Sequence, residues 1–262
     1  MSHAMTYGRY LRLDALLGCQ APQTDSHDEL LFVILHQTME LWMKQLIHEL
    51  GAAQGQIRSG RLSPAYKHLA RVSRIQAVMT QAWDVLATMT PADYMQFRSA
   101  LGTSSGFQSA QFRVFECTLG LKDASHLRYH EAGSAEHETL QRAIAAPSLY
   151  DDALAQLAAA GFALTAETLA TRTSVREPDA SVEAAWLAIY RDTAQYWELY
   201  QLAEKLIDVD DALLTWRYRH AVAVERVIGR KRGTGGTEGV GYLQSTLARR
   251  AFPEIWAVRT SL

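Results

Sequence analysis

Apolar residues recur at three- and four-residue steps along most of this chain, the spacing that places side chains on one face of an α-helix. No segment alternates apolar and polar residues convincingly with the period of two that marks a half-buried strand. The longest runs cover residues 27–59, 63–89 and 182–229, and the last of these is predicted to be unbroken. The pattern therefore predicts an all-α fold, a bundle of long helices, with residues 1–262 forming a single domain.

Capping residues predict where several of these helices begin and end. Ser26 followed by Glu29 is a capping-box pattern at the start of the first run, and Ser63 precedes Pro64 at the start of the second. Shorter helices are predicted after Thr90, before Gly120 and over about 136–161, with a polar surface connection over 171–179.

Composition and charge narrow the class of protein. With 262 residues, 48% of them hydrophobic, the chain can bury a large core and still enclose a cavity. Its net charge of −2 creates no general attraction to nucleic acid or to an acidic membrane. Two cysteines without metal-ligand spacing support neither a disulfide framework nor a thiolate zinc site, so a reducing cytoplasm is expected. No export signal or run of about 18 apolar residues is present. Because the net charge is close to zero, a small, near-neutral substrate is the expected partner.

Two histidines project from apolar helical faces. His220 shares its face with Trp216 and Val227, and His36 shares its face with Phe32. Taken alone, a histidine on such a face is more often a hydrogen-bonded core residue than a ligand. Two of them favour a bound cofactor, because a planar tetrapyrrole needs an apolar slot and one neutral imidazole for its iron. His220 could supply that axial bond.

Cations and glycines follow the helix of His220. The cations could face cofactor carboxylates, or could simply complement the helix dipole; they are Arg217, Arg226, Arg230 and Lys231. The glycine loop, residues 231–239 (KRGTGGTEG), is not a dinucleotide fingerprint, because it follows a helix and Glu238 stands at the last glycine position. Its N–H groups and the Thr234 hydroxyl could close over a polar ligand, or the loop could be only a mobile turn.

A second candidate metal site is weaker. His126 and His130 are four residues apart, with Glu131, Glu136 and His137 nearby, so a helix there could present a zinc or non-haem iron face. The charged surroundings suit a solvated surface better than a dry metal site.

Seven short blocks stand out along the chain: residues 6–14 (TYGRYLRLD), 28–38 with 40–42 (DELLFVILHQT and ELW), 94–98 (YMQFR), 101–108 (LGTSSGFQ), 147–150 (PSLY), 216–220 (WRYRH) and 231–236 (KRGTGG). In this order, they resemble the successive blocks of the tryptophan 2,3-dioxygenase family. The resemblance extends from Tyr7 to the closing segments 252–254 and 258–261, over nearly the whole chain.

The resemblance implies one haem-binding dioxygenase domain whose long helices enclose a pocket for haem b, ferrous in the active form. It implies that L-tryptophan reacts with O₂ to give N-formyl-L-kynurenine, the first step of tryptophan degradation by the kynurenine pathway. His220 is then the axial haem ligand and His36 the distal histidine. The implied substrate-binding residues are Phe32, Leu35, His36, Tyr94, Arg98, Ser105 and Thr234. A homotetramer, a dimer of dimers, is also implied, in which a neighbouring subunit contributes Tyr7, Tyr10 and Leu11 to the pocket.

The chemistry of these side chains agrees with the implied roles. Arg98 can hold a carboxylate through two parallel hydrogen bonds, and Thr234 with a haem propionate can accept from the ammonium group. His36 is expected to orient the indole N–H as an acceptor rather than to remove its proton. The alternatives are a haem oxygenase acting on a related indole, a non-catalytic helical haem-binding protein, and a colourless helical scaffold.

Overall fold

A computed structural model describes residues 4–236 and 238–262, and this part of the chain contains helices and no strand. The helices are α1 (Tyr7–Leu11), α2 (Leu13–Leu17), α3 (His27–Arg58), α4 (Leu62–Leu86), α5 (Pro91–Phe97), α6 (Ala110–Leu119), α7 (Ala135–Ala145), α8 (Leu149–Ala159), α9 (Ala166–Leu169), α10 (Ala180–Arg191), α11 (Trp197–Ile228), α12 (Val240–Ser245) and α13 (Pro253–Ser261). Short 3₁₀ segments cover Arg98–Leu101, Gly106–Gln108, Ala124–Tyr129 and Thr246–Ala248. The all-α prediction is confirmed. None of the described helices combines the length and the apolar character that crossing a membrane requires.

The core is built on the three long helices α3, α4 and α11. Helix α4 lies against both of the others, while α6 and α8 pack on α3, and α10 packs on α13 and α11. The three- and four-residue spacing predicts one apolar face of α4, and most of that face is buried in this core: Leu69, Val72, Ile75, Met79, Trp83 and Leu86. Val78, which the same spacing included, is 44% exposed. Burial of that stripe from two sides makes α4 the central helix of the bundle.

The predicted unbroken helix over 182–229 is wrong. Helix α10 ends at Arg191 and α11 begins at Trp197. The carboxylate of Asp192 accepts a hydrogen bond from the backbone N–H of Gln195 at 3.1 Å. Such a local bond offers the backbone an alternative to continuing the helix. The break separates α10, which packs on α13, from α11, which packs on α4.

The predicted capping box at the start of α3 is also wrong. Glu29 accepts hydrogen bonds from the backbone N–H groups of Gln23 and Thr24 at 2.7 and 2.8 Å, and not from the backbone N–H of Ser26 as a capping box requires. The bond from Gln23 contributes most to holding the pKa of the Glu29 carboxyl below its ordinary value, and the bonds from Thr24 act in the same direction. Glu29 therefore ties the segment before α3 to the helix.

Two other predicted helix starts have opposite outcomes. Helix α4 begins at Leu62 rather than after Ser63, and Pro64 falls within its first turn, where N–H groups lack helical partners in any case. The start after Thr90 is confirmed, because Thr90 and Asp93 form a complete capping box at α5.

A buried carboxylate joins α11 to the C-terminal segment. Asp210 is fully buried and accepts hydrogen bonds from the backbone N–H groups of Ala251 and Phe252, at 3.0 and 3.3 Å. It also accepts from the indole N–H of Trp256 at 2.9 Å. Burial raises the pKa of Asp210 above its ordinary value, although the donors oppose that shift. One side chain thus satisfies three donors and holds the start of α13 against α11.

Replacing Asp210 by alanine is expected to lower the free energy of unfolding by about 3 kcal/mol, because three buried donors lose their acceptor. Asp210→Asn keeps one oxygen and should lose less. Urea unfolding followed by circular dichroism measures both. Asp211→Ala is the control, since Asp211 is the exposed neighbour, and it should change stability by less than about 0.5 kcal/mol. Equal losses at positions 210 and 211 would contradict this account of the tether.

Candidate functional site

A cavity of about 660 Å³ lies between α3, α4, α6 and α11 and the loops that face them. Its size suits a cofactor or a drug-sized ligand, and its wall is mainly apolar. Among the site residues that the sequence resemblance implies, those that line it are Phe32, His36, Tyr94, Ser105, His220 and Thr234. Side chains from distant parts of the chain therefore face one space.

His220 contributes an imidazole from α11. Its ring stacks on the Trp83 ring of α4, with centroids 4.2 Å apart and planes inclined by 8°. Burial lowers the pKa of His220 to about 3, and the charges of His36 and Arg113 act in the same direction. Within the described part of the chain, no residue forms a side-chain hydrogen bond with this ring. A neutral imidazole with an available nitrogen in an apolar cavity is the donor that a haem iron requires.

His36 contributes the second imidazole, from α3. Its Nδ1 lies 2.7 Å from the carbonyl oxygen of Phe32. Because a carbonyl oxygen can only accept, Nδ1 must carry the proton, which leaves Nε2 as a hydrogen-bond acceptor. Burial lowers the pKa of His36 below its ordinary value, although the Phe32 carbonyl and Glu40 oppose the shift. His36 is thus a neutral residue that can accept a hydrogen bond from a ligand in the cavity.

Trp83 and Trp216 form the part of the cavity wall that lies next to the histidines. The Trp83 ring centroid lies 6.5 Å from that of His36 and 4.2 Å from that of His220. The two tryptophan rings are 5.4 Å apart, and both line the cavity. The indole N–H groups of both are buried and have no hydrogen-bond partner among the described residues. Unpaired buried donors cost free energy, so they favour a ligand that carries acceptors or π-density at this wall.

A buried ion network forms another part of the wall. Arg113 Nη1 and Arg217 Nη2 lie 2.5 and 2.6 Å from the two oxygens of Glu116. Burial alone raises the pKa of Glu116, but the two guanidinium charges outweigh it and keep the pKa below its ordinary value. Two cations and one anion leave a net positive charge beside the cavity, which favours an anionic ligand group.

This network changes one expectation from the sequence. Arg217 is one of the cations for which the sequence leaves open a role toward cofactor carboxylates, but it is bound to Glu116 and donates to the carbonyls of Thr246 and Arg249. The other cations of that group, Arg226, Arg230 and Lys231, are exposed.

The glycine loop rests on the segment that follows α5. Thr234 Oγ1 donates to the carbonyl of Ser104 at 2.5 Å, and Arg98 Nη2 donates to the carbonyl of Arg232 at 2.7 Å. Thr234 and Gly233 line the cavity, whereas Arg98 lies beside the loop and does not line it. Ser104 is exposed and lines the cavity together with Ser105, Gly233 and Thr234, so this part of the wall is the cavity mouth.

The remaining sequence-derived site residues lie elsewhere. Leu35 is buried in the core and does not line the cavity. Tyr7, Tyr10 and Leu11 lie on α1 and are 76%, 74% and 41% exposed. Apolar surface exposed to this degree on a short terminal helix is unusual for a packed element.

Sequence reasoning missed Trp83 and the Glu116 network as parts of the site. Periodicity placed Trp83 on a buried face of α4, but it cannot show that this face meets His220. A signal for the network was available, because Arg113 and Glu116 interrupt the apolar face that carries Phe112 and Phe115. Charged residues on a buried face require a buried partner.

The weaker metal candidate around His126 is not assembled as expected. His126 lies in the 3₁₀ segment Ala124–Tyr129, so it shares no α-helical face with His130. It is buried rather than solvated, and its ring packs edge-on against Phe107 with centroids 5.3 Å apart. Over residues 4–236 and 238–262, no group of three or more His, Cys, Asp or Glu side chains is arranged to hold a metal ion.

Comparison with known proteins gives a consistent result over the whole chain. A family model described as tryptophan 2,3-dioxygenase matches residues 1–169 and 169–262. A protein of that name from Caulobacter vibrioides is 58% identical, with 100% of both chains covered. Proteins of the same name from Bacillus thuringiensis and Pseudomonas aeruginosa are both 52% identical, covering 98% and 100% of this chain and 93% and 91% of theirs.

Proposed function

The chain belongs to the tryptophan 2,3-dioxygenase family, and on that premise we propose that it cleaves the indole C2–C3 bond of L-tryptophan with O₂. Both oxygen atoms enter the product, N-formyl-L-kynurenine, so the reaction balances without an external reductant. It would be the first step of tryptophan degradation by the kynurenine pathway. The observation that carries the proposal is the pair of neutral histidines, His36 and His220, that face one apolar cavity from different helices.

The proposed cofactor is haem b, held in the cavity with His220 as the axial ligand. Support comes from the neutral ring of His220, the indole walls of Trp83 and Trp216, and the net positive charge of the Glu116 network. When bound, ferrous haem supplies the binding and activation of O₂. An imidazole that is already neutral need not lose a proton to bind iron, so ligation at neutral pH carries no free-energy cost of deprotonation.

His36 is proposed to orient the substrate. Its Nδ1–H is held by the Phe32 carbonyl, so Nε2 can accept a hydrogen bond from the indole N–H. Removal of that proton would be steeply uphill, because the indole N–H is far less acidic than imidazolium. The rings of Phe32 and Tyr94, whose centroids are 6.1 Å apart, are proposed to wall the indole pocket together with Ser105, whereas Leu35 does not line the cavity. These residues then set which edge of the indole meets oxygen.

The amino acid head group is proposed to bind at the cavity mouth. Arg98 and Thr234 both contact that region, through Arg232 and Ser104. The Arg98 guanidinium would exchange its bond to the Arg232 carbonyl for the stronger, charge-assisted bonds to the substrate carboxylate. The Thr234 hydroxyl would meet the head group of the amino acid. An indole without this head group leaves these polar groups unpaired, so it should react roughly 10²-fold less well.

Assembly as a homotetramer, a dimer of dimers, is proposed to complete the pocket. The aromatic side chains of Tyr7 and Tyr10, with Leu11, are exposed in the single chain and would be covered by docking against a neighbour's cavity. We further propose that residues 1–262 form one domain. We also propose that the enzyme is cytoplasmic, and the exposed free thiol of Cys19 supports a reducing compartment.

The proposal is tested with the purified, haem-loaded protein under reducing conditions. L-Tryptophan should produce formylkynurenine absorbance and consume one O₂ for each product formed. A simple 3-alkylindole serves as the comparison substrate. Faster reaction of the alkylindole would favour the related indole oxygenase, whereas a haem spectrum without tryptophan-dependent oxygen uptake would favour the non-catalytic haem protein.

Replacing His220 by alanine should remove the axial ligand, because no other residue on this face of α11 carries an imidazole. Haem content should fall several-fold, and the ferrous spectrum of any retained haem should change. Added imidazole should restore the original spectrum by replacing the missing ring. His48→Ala is the control, since His48 is exposed on α3. A His220→Ala protein with full haem content and an unaltered ferrous spectrum would rule out the ligand assignment.

Replacing His36 by alanine should lower kcat/KM for L-tryptophan by about 10²-fold while haem content stays constant. The pKa of His36 lies below its ordinary value of 6.5, so the neutral acceptor persists when the pH falls through 6.5. Wild-type kcat/KM should therefore show no loss from His36 protonation until lower pH. Activity measured across this range, with haem quantified in each sample, checks both points. Loss of haem in the variant would contradict an orienting role.

A further inference from the structure

The contact between Gly235 and Ser105 determines how closely the glycine loop approaches the cavity mouth. We propose that Gly235 is a positioning residue: because it has no side chain, the loop can rest on Ser105 and hold Thr234 at the cavity. The proposal deepens the proposed function and rests on it for the role of Thr234. The packing of the loop itself does not depend on that function.

The distances leave no space for a side chain at position 235. A Cβ atom on Gly235 would lie 2.8 Å from Ser105 Cβ and 3.1 Å from Ser105 Oγ. Non-bonded carbon atoms pack at about 3.5–4.0 Å, so the first contact is far too short. Rotation of the Ser105 side chain moves Oγ but not Cβ. An added methyl group would therefore force one of the two backbones to move.

Ser105 is poorly able to retreat, because its own turn holds it. Its side chain accepts from the N–H of Phe107, and its N–H donates to Gln108 Oε1, so that the two form a capping box at the 3₁₀ segment Gly106–Gln108. Gly235 itself makes no hydrogen bond with the described residues, and the bonds to residues 98–105 are made by its neighbours Thr234 and Arg232. We expect the loop, rather than the Ser105 turn, to move when the contact is overfilled.

Movement of the loop would displace Thr234 first. Thr234 is the adjacent residue, and its hydroxyl is bound to the Ser104 carbonyl, next to the Gly235 contact. Arg232 is bound through its carbonyl to Arg98 on the other side. Lifting the loop by the distance that a methyl group needs would break one or both bonds. The proposed head-group contacts would then lose their positions together.

Gly235 differs in this respect from the glycine that follows it. Gly236 has a φ of +78°, a conformation that favours glycine, but a Cβ there would meet nothing within 4 Å. For Gly235 the constraint is space between two loops. A substitution at position 235 can therefore be compensated by removing atoms from its partner, which gives the test its design.

The test uses six variants of the haem-loaded enzyme: Gly235→Ala, Gly235→Ala/Ser105→Gly, Gly235→Ala/Ser105→Ala, Ser105→Gly, Ser105→Ala and the control Gly55→Ala. Gly55 lies on the exposed side of α3, where a Cβ meets nothing within 4 Å. The single variants Ser105→Gly and Ser105→Ala provide the reference for each double variant. Removing Ser105 Cβ relieves the clash, whereas Ser105→Ala removes only Oγ and keeps the 2.8 Å contact.

The first readout is cleavage of the native protein by trypsin after Lys231 and Arg232, which are exposed at the start of the glycine loop. Gly235→Ala should be cleaved there roughly tenfold faster than wild type, and Gly55→Ala should not. Relative to their Ser105 references, the Ser105→Gly double variant should return to the wild-type rate and the Ser105→Ala double variant should not. Circular dichroism and haem content verify that each variant is folded.

The second readout is steady-state kinetics with L-tryptophan. Gly235→Ala should raise KM roughly 10- to 100-fold, the range expected from overpacking a close contact, with a smaller change in kcat. Relief should again require Ser105→Gly.

Each readout has an outcome that overturns the proposal. The proposal fails if Gly235→Ala is cleaved no faster than Gly55→Ala, or if Ser105→Ala relieves the effect as well as Ser105→Gly. It also fails if the loop opens without a change in KM in an enzyme that does oxidise tryptophan. A protein that shows the expected cleavage pattern but no tryptophan oxidation would instead count against the proposed function.

Discussion

The packing of α4 between α3 and α11 is the constraint on which the candidate site depends. Trp83 projects from α4, stacks on His220 and lies edge-on to His36. Both imidazoles are therefore in contact with one side chain of the central helix, and all three rings line the cavity. Desolvation in this space keeps both rings neutral, which is the state in which one can ligate iron and the other can accept a hydrogen bond.

Two buried carboxylates stabilise the surroundings of α11 in different ways. Glu116 binds Arg113 and Arg217 and so joins α6 to α11 beside the cavity. Asp210 collects three donors and joins α11 to the C-terminal segment. Buried ions are costly unless they are paired and hydrogen-bonded, and here nearly all of their polar atoms have partners. The helix that carries His220 is thereby held along its length, which favours a fixed ligand position.

Local signals predicted helix boundaries well where no other nearby group competes for the capping side chain. Thr90 with Asp93 and the glycine stop at Gly120 act within their own turns, and both appear as expected. The Glu29 carboxylate could accept a hydrogen bond either from the backbone N–H of Ser26 or from the preceding segment. It accepts from the backbone N–H groups of Gln23 and Thr24. The break at Asp192 was not predicted, because the apolar spacing continues across it. There the Asp192 carboxylate accepts a hydrogen bond from the backbone N–H of Gln195.

The sequence by itself determined the helical class, the apolar faces of His36 and His220, and the family, because periodicity and short motifs are properties of neighbouring residues. The tertiary structure decided that Trp83 contacts both histidines, that Arg217 is bound to Glu116, and that Gly235 rests on Ser105. Those contacts join residues that are distant in the sequence, and their geometry depends on how whole helices and loops pack. No local pattern encodes such distances, so they emerge only when the chain has folded.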